Sequence, residues 1–289
     1  MKKISIVGFG RFGKTLYRLL KEDFEITIYD IDSGKINAND LSPSTKIAKN
    51  LEEVYLGEVV FFSVPISVFG KVILGHQKFF KEHLLIDVLS VKLHPKNVFE
   101  ENLKNTKSRA ILTHPMFGPD SSKEGFSGLP LVFDEFTSSK EESNFWKKFF
   151  REKGLKVVEM SASKHDKMAA NSQGVTHFIG RILDEIKFLP TEIDTKGAEI
   201  LHSVKKQTCN DTWQLFTDLQ SYNPHTKGMR TRFGRAYESL YNKLLPDRIN
   251  PDYIIYGIQG GLGSFNEEAI NFYLNKQGIV DYKIKYLYT

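Results

Sequence analysis

From the start of the chain to Met160, short apolar runs alternate with stretches of helical spacing. Ile4-Ser5-Ile6-Val7 predicts a buried strand. Lys14 to Lys21 predicts a helix with Leu16, Leu19 and Leu20 on one face, and Glu25 to Tyr29 predicts a second strand. Further strands are expected at Glu58 to Val64, Leu84 to Val88, Ala110 to Thr113, Pro130 to Phe133 and Leu155 to Met160, with helices over Val68 to Phe80 and Glu141 to Lys153. Repeated βα units imply an α/β, doubly wound, mostly parallel sheet.

After Met160 the strand signal stops. Ser163 to Leu189 reads as one long helix, followed by helices at Thr195 to Ser203, Asp211 to Tyr222 and Met229 to Leu245. This is an all-α segment suited to substrate binding and dimerisation. Beyond Leu245-Pro246 the pattern returns to a strand from Asp252 to Gly257, a helix from Asn266 to Leu274 and a strand from Asp281 to Tyr288. A single βαβ unit is too small to bury a core alone. The expected organisation is residues 1–161, residues 162–245 and a short extension over residues 246–289.

The first strand runs into Gly8-Phe9-Gly10-Arg11-Phe12-Gly13, and the second ends at Asp30, seventeen residues after Gly13. Strand, G-x-G-x-x-G, helix, strand and acid in this order are the signature of a Rossmann-type dinucleotide site. Gly8 permits the tight turn, Gly10 lets the backbone approach a pyrophosphate, and Gly13 allows helix and strand to pack closely. The helix N-terminus offers N–H donors to the phosphates. Asp30 is placed to accept hydrogen bonds from the adenosine ribose and to repel a 2′-phosphate, which predicts NAD. Arg11 keeps NADP open, because a cation there compensates a phosphate. Ligands on such sheets bind beyond the carboxyl ends of the strands, so Ser63-Val64-Pro65 and Ser90 join the expected cofactor site.

Composition narrows the setting. The 40 Lys and Arg are dispersed among 35 Asp and Glu, a net charge of +5 without a dense basic block, so a small anionic ligand is expected rather than nucleic acid. No apolar run reaches the length of a membrane span. The lone Cys209 excludes an internal disulfide and a cysteine-based metal site. His76, His83, His94, His202 and His225 have no metal-ligand spacing, and no metal is expected. With no apolar leader closed by a cleavage site, the cytoplasm is the expected compartment.

Gln173, Thr176 and His177 fall at i, i+3 and i+4 and share one helix face. A polar stripe on an apolar helix is either a hydrogen-bonded core network or a substrate wall. His114 and Ser90 each follow a predicted strand. Taken alone, both also admit a structural role. Histidine is the side chain suited to proton exchange near neutral pH.

Leu84-Leu85-Ile86-Asp87-Val88-Leu89-Ser90-Val91-Lys92, Thr113-His114-Pro115-Met116-Phe117-Gly118-Pro119, His165-Asp166-Lys167 and Ser172-Gln173-Gly174-Val175-Thr176-His177, in this order, resemble the prephenate/arogenate dehydrogenase family, and the plant-type arogenate enzymes most of all. Asp194-Thr195-Lys196-Gly197 and Asn210-Asp211-Thr212-Trp213-Gln214-Leu215-Phe216 extend the likeness to about Tyr222. The resemblance implies oxidation of a cyclohexadienol by NAD(P)⁺ with loss of the ring carboxylate, giving tyrosine from arogenate or 4-hydroxyphenylpyruvate from prephenate, in a homodimer. It implies His177 as the base at the ring hydroxyl, Ser90 as a bridge between hydroxyl, histidine and nicotinamide, and His114 as a positioning group. Plant-type enzymes tend to use NADP, from which Asp30 departs.

The resemblance to the plant-type enzymes implies Asp211 as an acid facing the ammonium of arogenate; read from the residues alone, Asp211 is equally a cap for the helix expected to open there. Arg230 and Arg232, with Arg235, are candidates for the substrate carboxylates or a solvated face. His165-Asp166 reads as structural. The segment Tyr256 to Ala269 resembles the opening of a prephenate dehydratase domain. A β-hydroxyacid dehydrogenase or imine reductase would carry its lysine or aspartate on the long helix, with Lys167 the available candidate. A non-catalytic NAD-binding regulator would bind cofactor without turnover.

Overall fold

A computed structural model describes residues 2–244 and 254–287. Two compact units result, Met1–Thr226 and Lys227–Thr289. The expected junction at Leu245-Pro246 lies outside the described residues, as do Asp252 and Tyr288.

The first unit opens with β1 (Lys3–Val7), α1 (Arg11–Leu20), β2 (Glu25–Tyr29), the short β3 (Lys46–Ile47) and α2 (Leu51–Val54). It continues with β4 (Val59–Phe62), α3 (Ile66–His76), β5 (Leu84–Asp87), α4 (Leu93–Asn102) and β6 (Arg109–Pro115). Then come β7 (Pro130–Asp134), α5 (Lys140–Glu152) and β8 (Lys156–Glu159). These eight strands form one sheet in the order β3-β2-β1-β4-β5-β6-β7-β8. All neighbours are parallel except β6 and β7. Neighbouring strands β1 and β4 feed their crossovers to opposite sides, so a crevice opens between their carboxyl ends, the position where doubly wound sheets take ligands.

Side-chain alternation divides the core. Ile4, Ile6 and Phe61 pack with Leu16, Leu20 and Trp146 on one face, while Val60 and Phe62 pack with Phe69, Ile73 and Phe99 on the other. Both faces of the central strands are covered by helices, which explains why Val59-Val60-Phe61-Phe62 is apolar without alternation.

Helices follow: α6 (Ala162–Asn171), α7 (Gln173–Glu185), α8 (Lys196–Cys209) and α9 (Trp213–Tyr222). The long helix expected over Ser163 to Leu189 is therefore two. Ser172, at φ −121° and ψ −87°, leaves the helical region between them. The second helix stops at Glu185, where Lys187 turns left-handed (φ 54°) and Phe188 N–H donates to the Leu183 carbonyl at 2.9 Å, a Schellman-type closure. Helix α9 likewise starts two residues later than the spacing suggests. Thr212 is its cap, accepting from Leu215 N–H at 3.1 Å. α10 (Thr226–Leu244) runs from the end of the first unit into the second.

The helical segment is tied to the sheet domain by polar contacts at helix ends. Asp218 on α9 accepts from the backbone N–H and hydroxyl of Ser67 at 3.0 and 2.8 Å, placing a carboxylate at the N-terminus of α3. Ala162 and Tyr222 add apolar contacts to the core on that side of the sheet.

The second unit contains β9 (Ile254–Gln259), α11 (Phe265–Lys276) and β10 (Tyr282–Leu287), with the two strands paired in parallel. This is the expected βαβ unit. Among the described residues no helix is long and apolar enough to cross a membrane, and no His, Cys, Asp and Glu group could hold a metal ion.

Candidate active site

The phosphate-binding loop fits a dinucleotide. Gly8 is left-handed (φ +93°), and a Cβ there would meet the Ser63 carbonyl oxygen at 2.3 Å. A Cβ on Gly13 would meet the Gly8 carbonyl oxygen at 2.2 Å, whereas space above Gly10 is open to 4 Å. No side chain caps α1 and no acid lies in its first turn, so its N–H donors are left to a ligand. Asp30 supports the loop directly: Oδ2 accepts from Phe9 N–H at 2.7 Å and Oδ1 from Asp32 N–H at 2.9 Å, with Lys35 Nζ 3.7 Å away.

Beyond the carboxyl ends of the strands lies a cleft of about 520 Å³. Its walls include Gly10, Arg11 and Phe12 from the loop and α1, Ser63-Val64-Pro65 after β4, and Ser90 after β5. His114 to Ser121 at the end of β6, Gln173, Thr176 and His177 from α7, and Asp211 before α9 complete it. The polar stripe is thus a wall of the cleft. Arg230 and Arg232 lie on α10, in the second unit.

His114 is held by a chain of hydrogen bonds. Its Nδ1 lies 2.8 Å from His165 Nε2, and His165 Nδ1 lies 2.8 Å from Asp166 Oδ1. Asp166 also accepts from the N–H groups of Lys92 (2.7 Å) and Leu93 (2.9 Å), capping α4 from outside. An ionised carboxylate is an acceptor, so His165 donates from Nδ1 and accepts at Nε2. His114 must then donate from Nδ1, which leaves Nε2 as a lone pair with no protein partner among the described residues. Burial, aided by neighbouring His165, Lys92 and His177, pushes the His114 pKa well below the usual histidine range.

Lys92 lies under this chain, fully buried, paired with Asp87 and donating to the Thr113 carbonyl at 2.5 Å. Burial outweighs that pairing and pushes Asp87 up to about 6. The pair fastens the loop carrying Ser90 to the strand carrying His114.

His177 differs from His114. It is 9% exposed, its Nδ1 has no partner among the described residues, and neither has Gln173 Oε1. Burial lowers its pKa, opposed by nearby Asp211. Buried polar atoms are nearly always satisfied, so two orphaned polar atoms on one cleft wall mark where a ligand supplies the partners. With Thr212 as the cap, the Asp211 side chain is released to line the cleft. Arg181 secures this turn, donating to the Asp211 carbonyl at 2.8 Å and lying over the rings of Trp213 and Phe216.

Spacing along the chain points to the cleft residues but misses His165, Asp166, Lys92 and Arg181. The acid adjoining His165, and the lysine five residues after Asp87, are their available signals.

Comparison with known proteins places the chain in a family. Residues 16–159 match a family model described as prephenate dehydrogenase, nucleotide-binding domain, and residues 182–251 one described as TYRAAT1-like, C-terminal domain. Arogenate dehydrogenase 1, chloroplastic, of Arabidopsis thaliana is 35% identical over 84% of this chain, which spans 39% of that relative. Arogenate dehydrogenase 2, chloroplastic, of the same plant is 33% identical over 87% of this chain, which spans 72% of it. The fold is shared with a prephenate dehydrogenase from A. aeolicus solved with hydroxyphenyl propionate and NAD⁺, at TM-score 0.65 and 17% identity over 96% of each chain. One-third identity sustained across most of this chain and most of a full-length relative leaves one assignment: the chain belongs to the prephenate/arogenate dehydrogenase family.

Proposed function

We propose that this protein oxidises arogenate with NAD⁺ and releases the ring carboxylate as CO₂, forming tyrosine. The observation that carries the mechanism is the His114–His165–Asp166 chain. A base is effective when its free nitrogen is fixed toward the proton it takes, and this chain fixes His114 Nε2. The family resemblance implies His177 as the base. The hydrogen bonds favour His114 for that role and His177, with Gln173 and Thr176, for holding the substrate.

The bound nicotinamide supplies the hydride acceptor. The glycine loop and the N-terminus of α1 hold its pyrophosphate, and Asp30 next to the ribose position supports NAD⁺ over NADP⁺. Ser90 and His114 converge on the substrate's ring hydroxyl. His114 Nε2 removes its proton as the carbinol carbon gives up hydride. The resulting dienone carries a carboxylate para to the new carbonyl, and its loss makes the ring aromatic, which drives the reaction forward. Alignment in the cleft brings the reacting groups together in advance, which lowers the barrier. Asp211 pairs with the substrate ammonium and disfavours the keto acid prephenate. Exposed Ile186, Leu189, Ile193 and Ile200 around the α7–α8 connection support a homodimer.

Replacing each histidine separately tests the assignment. His114→Asn is expected to lower kcat by about 10²–10⁴-fold with a small change in KM, and His177→Asn to raise KM more than it lowers kcat. Near wild-type turnover in His114→Asn, with loss in His177→Asn, would return the base to His177.

A further inference from the structure

Arg11 serves two sites at once. Its backbone opens α1, where a pyrophosphate is received, while its guanidinium reaches across the cleft. Nη1 donates to the Asn210 carbonyl at 2.8 Å and to Asp211 at 3.3 Å, and Nη2 donates to Asp120 at 2.8 Å. Asp211 is the carboxylate assigned above to the substrate ammonium, and this inference rests on that reading. A carboxylate already paired with a guanidinium is a poor partner for a second cation.

The pairing is built to be exchanged. The Arg11 side chain is 46% exposed, and exposed ion pairs are weak. If Arg11 leaves, Asp120 and the turn of Asp211 stay anchored, and the Asp211 carboxylate is freed for another cation. Asp120 keeps Lys123 at 3.2 Å, and the turn of Asp211 keeps Arg181 on its carbonyl. A pyrophosphate carries two charges in the geometry that a guanidinium binds with paired hydrogen bonds. It therefore competes well against a single carboxylate oxygen at 3.3 Å.

We propose that Arg11 couples cofactor binding to amine recognition: in the free enzyme it pairs with Asp211 and Asp120, and a bound pyrophosphate draws it away, so that Asp211 accepts an ammonium group chiefly in the cofactor complex. Arg11 is thus a positioning residue for substrate choice, and dinucleotide and amine ligand bind synergistically. By linkage, an amine-bearing ligand tightens the dinucleotide by the same factor.

Calorimetry on the whole protein tests this apart from turnover. L-Tyrosine is the amine-bearing probe and 4-hydroxyphenylpyruvate its keto counterpart. Each is titrated into protein alone, with saturating adenosine, and with saturating ADP-ribose. ADP-ribose has the pyrophosphate but no nicotinamide, so contact between the two rings cannot produce the effect. ADP-ribose is expected to tighten tyrosine about tenfold, whereas adenosine does not, and the keto acid is little changed. Arg11→Gln, its fold verified by its own heat of ADP-ribose binding, should bind tyrosine equally with and without ADP-ribose. Unchanged coupling in Arg11→Gln, or no tightening in the wild type, overturns the proposal. If tyrosine and the keto acid bind the ADP-ribose complex equally and Asp211→Asn alters neither, the reading of Asp211 fails, and the coupling with it.

Discussion

The role proposed for His114 rests on two neighbouring residues of the hydrogen-bond chain. Its imidazole is buried and made the acceptor at Nε2 by His165, which Asp166 orients in turn. The depressed pKa has a consequence with a definite sign. The base works when neutral, and a lowered pKa keeps it neutral as pH falls, so activity is lost only on protonation below the ordinary histidine value. The kcat profile is expected to stay level from pH 8 to about 6.5 and to fall on the acid side. A limb centred above that value would show that His114 is not depressed or is not the base. At this scale the sequence is partly legible. Gln173, Thr176 and His177 advertise a shared face through their spacing. His165 does not advertise its hydrogen bond to a residue fifty-one positions earlier, because that contact exists only when α6 docks beside the end of β6. For the same reason Asp166 reads as an ordinary acid near a helix start.

Elements set where these side chains stand. The strands of the sheet are legible because buried parallel strands are continuous apolar runs closed by turn residues. The helices are less so. Apolar spacing runs without interruption through Ser163 to Leu189, yet Ser172 breaks it, and the break puts the first turn of α7 on the cleft wall. Gly180 shows what α7 then packs against. A Cβ at this position would lie 1.9 Å from Thr208 Oγ1 on α8, and Thr208 is almost fully buried. Gly180→Ala should destabilise the protein by about 1–3 kcal/mol despite alanine's better helix propensity, read from urea denaturation. Adding Thr208→Ala should recover part of the loss, a coupling expected of residues in contact. A Gly180→Ala variant as stable as wild type would mean that the two helices are not pressed together here.

Over the whole molecule, strand order decides where the site lies. Placing β4 beside β1 opens the crevice into which the glycine loop, the Ser90 loop and the His114 loop all project. Alternation of strands and helices alone allows more than one strand order, so it is the glycine motif of the opening residues that makes the cofactor site legible. The tie between Asp218 and Ser67 is not, because it joins two helix ends through a polar contact that no hydropathy pattern records. Arogenate oxidation is a reaction with a distinct aromatic product, so product formation is measured directly. Wild-type protein and Asp211→Asn are each incubated with NAD⁺ and either arogenate or prephenate, and reduced cofactor is followed with identification of the aromatic product. The wild type should form tyrosine and NADH in equal amounts from arogenate, with kcat/KM well above that for prephenate, and Asp211→Asn should lose most of that preference. Turnover of prephenate alone, or a preference untouched by Asp211→Asn, would contradict the account.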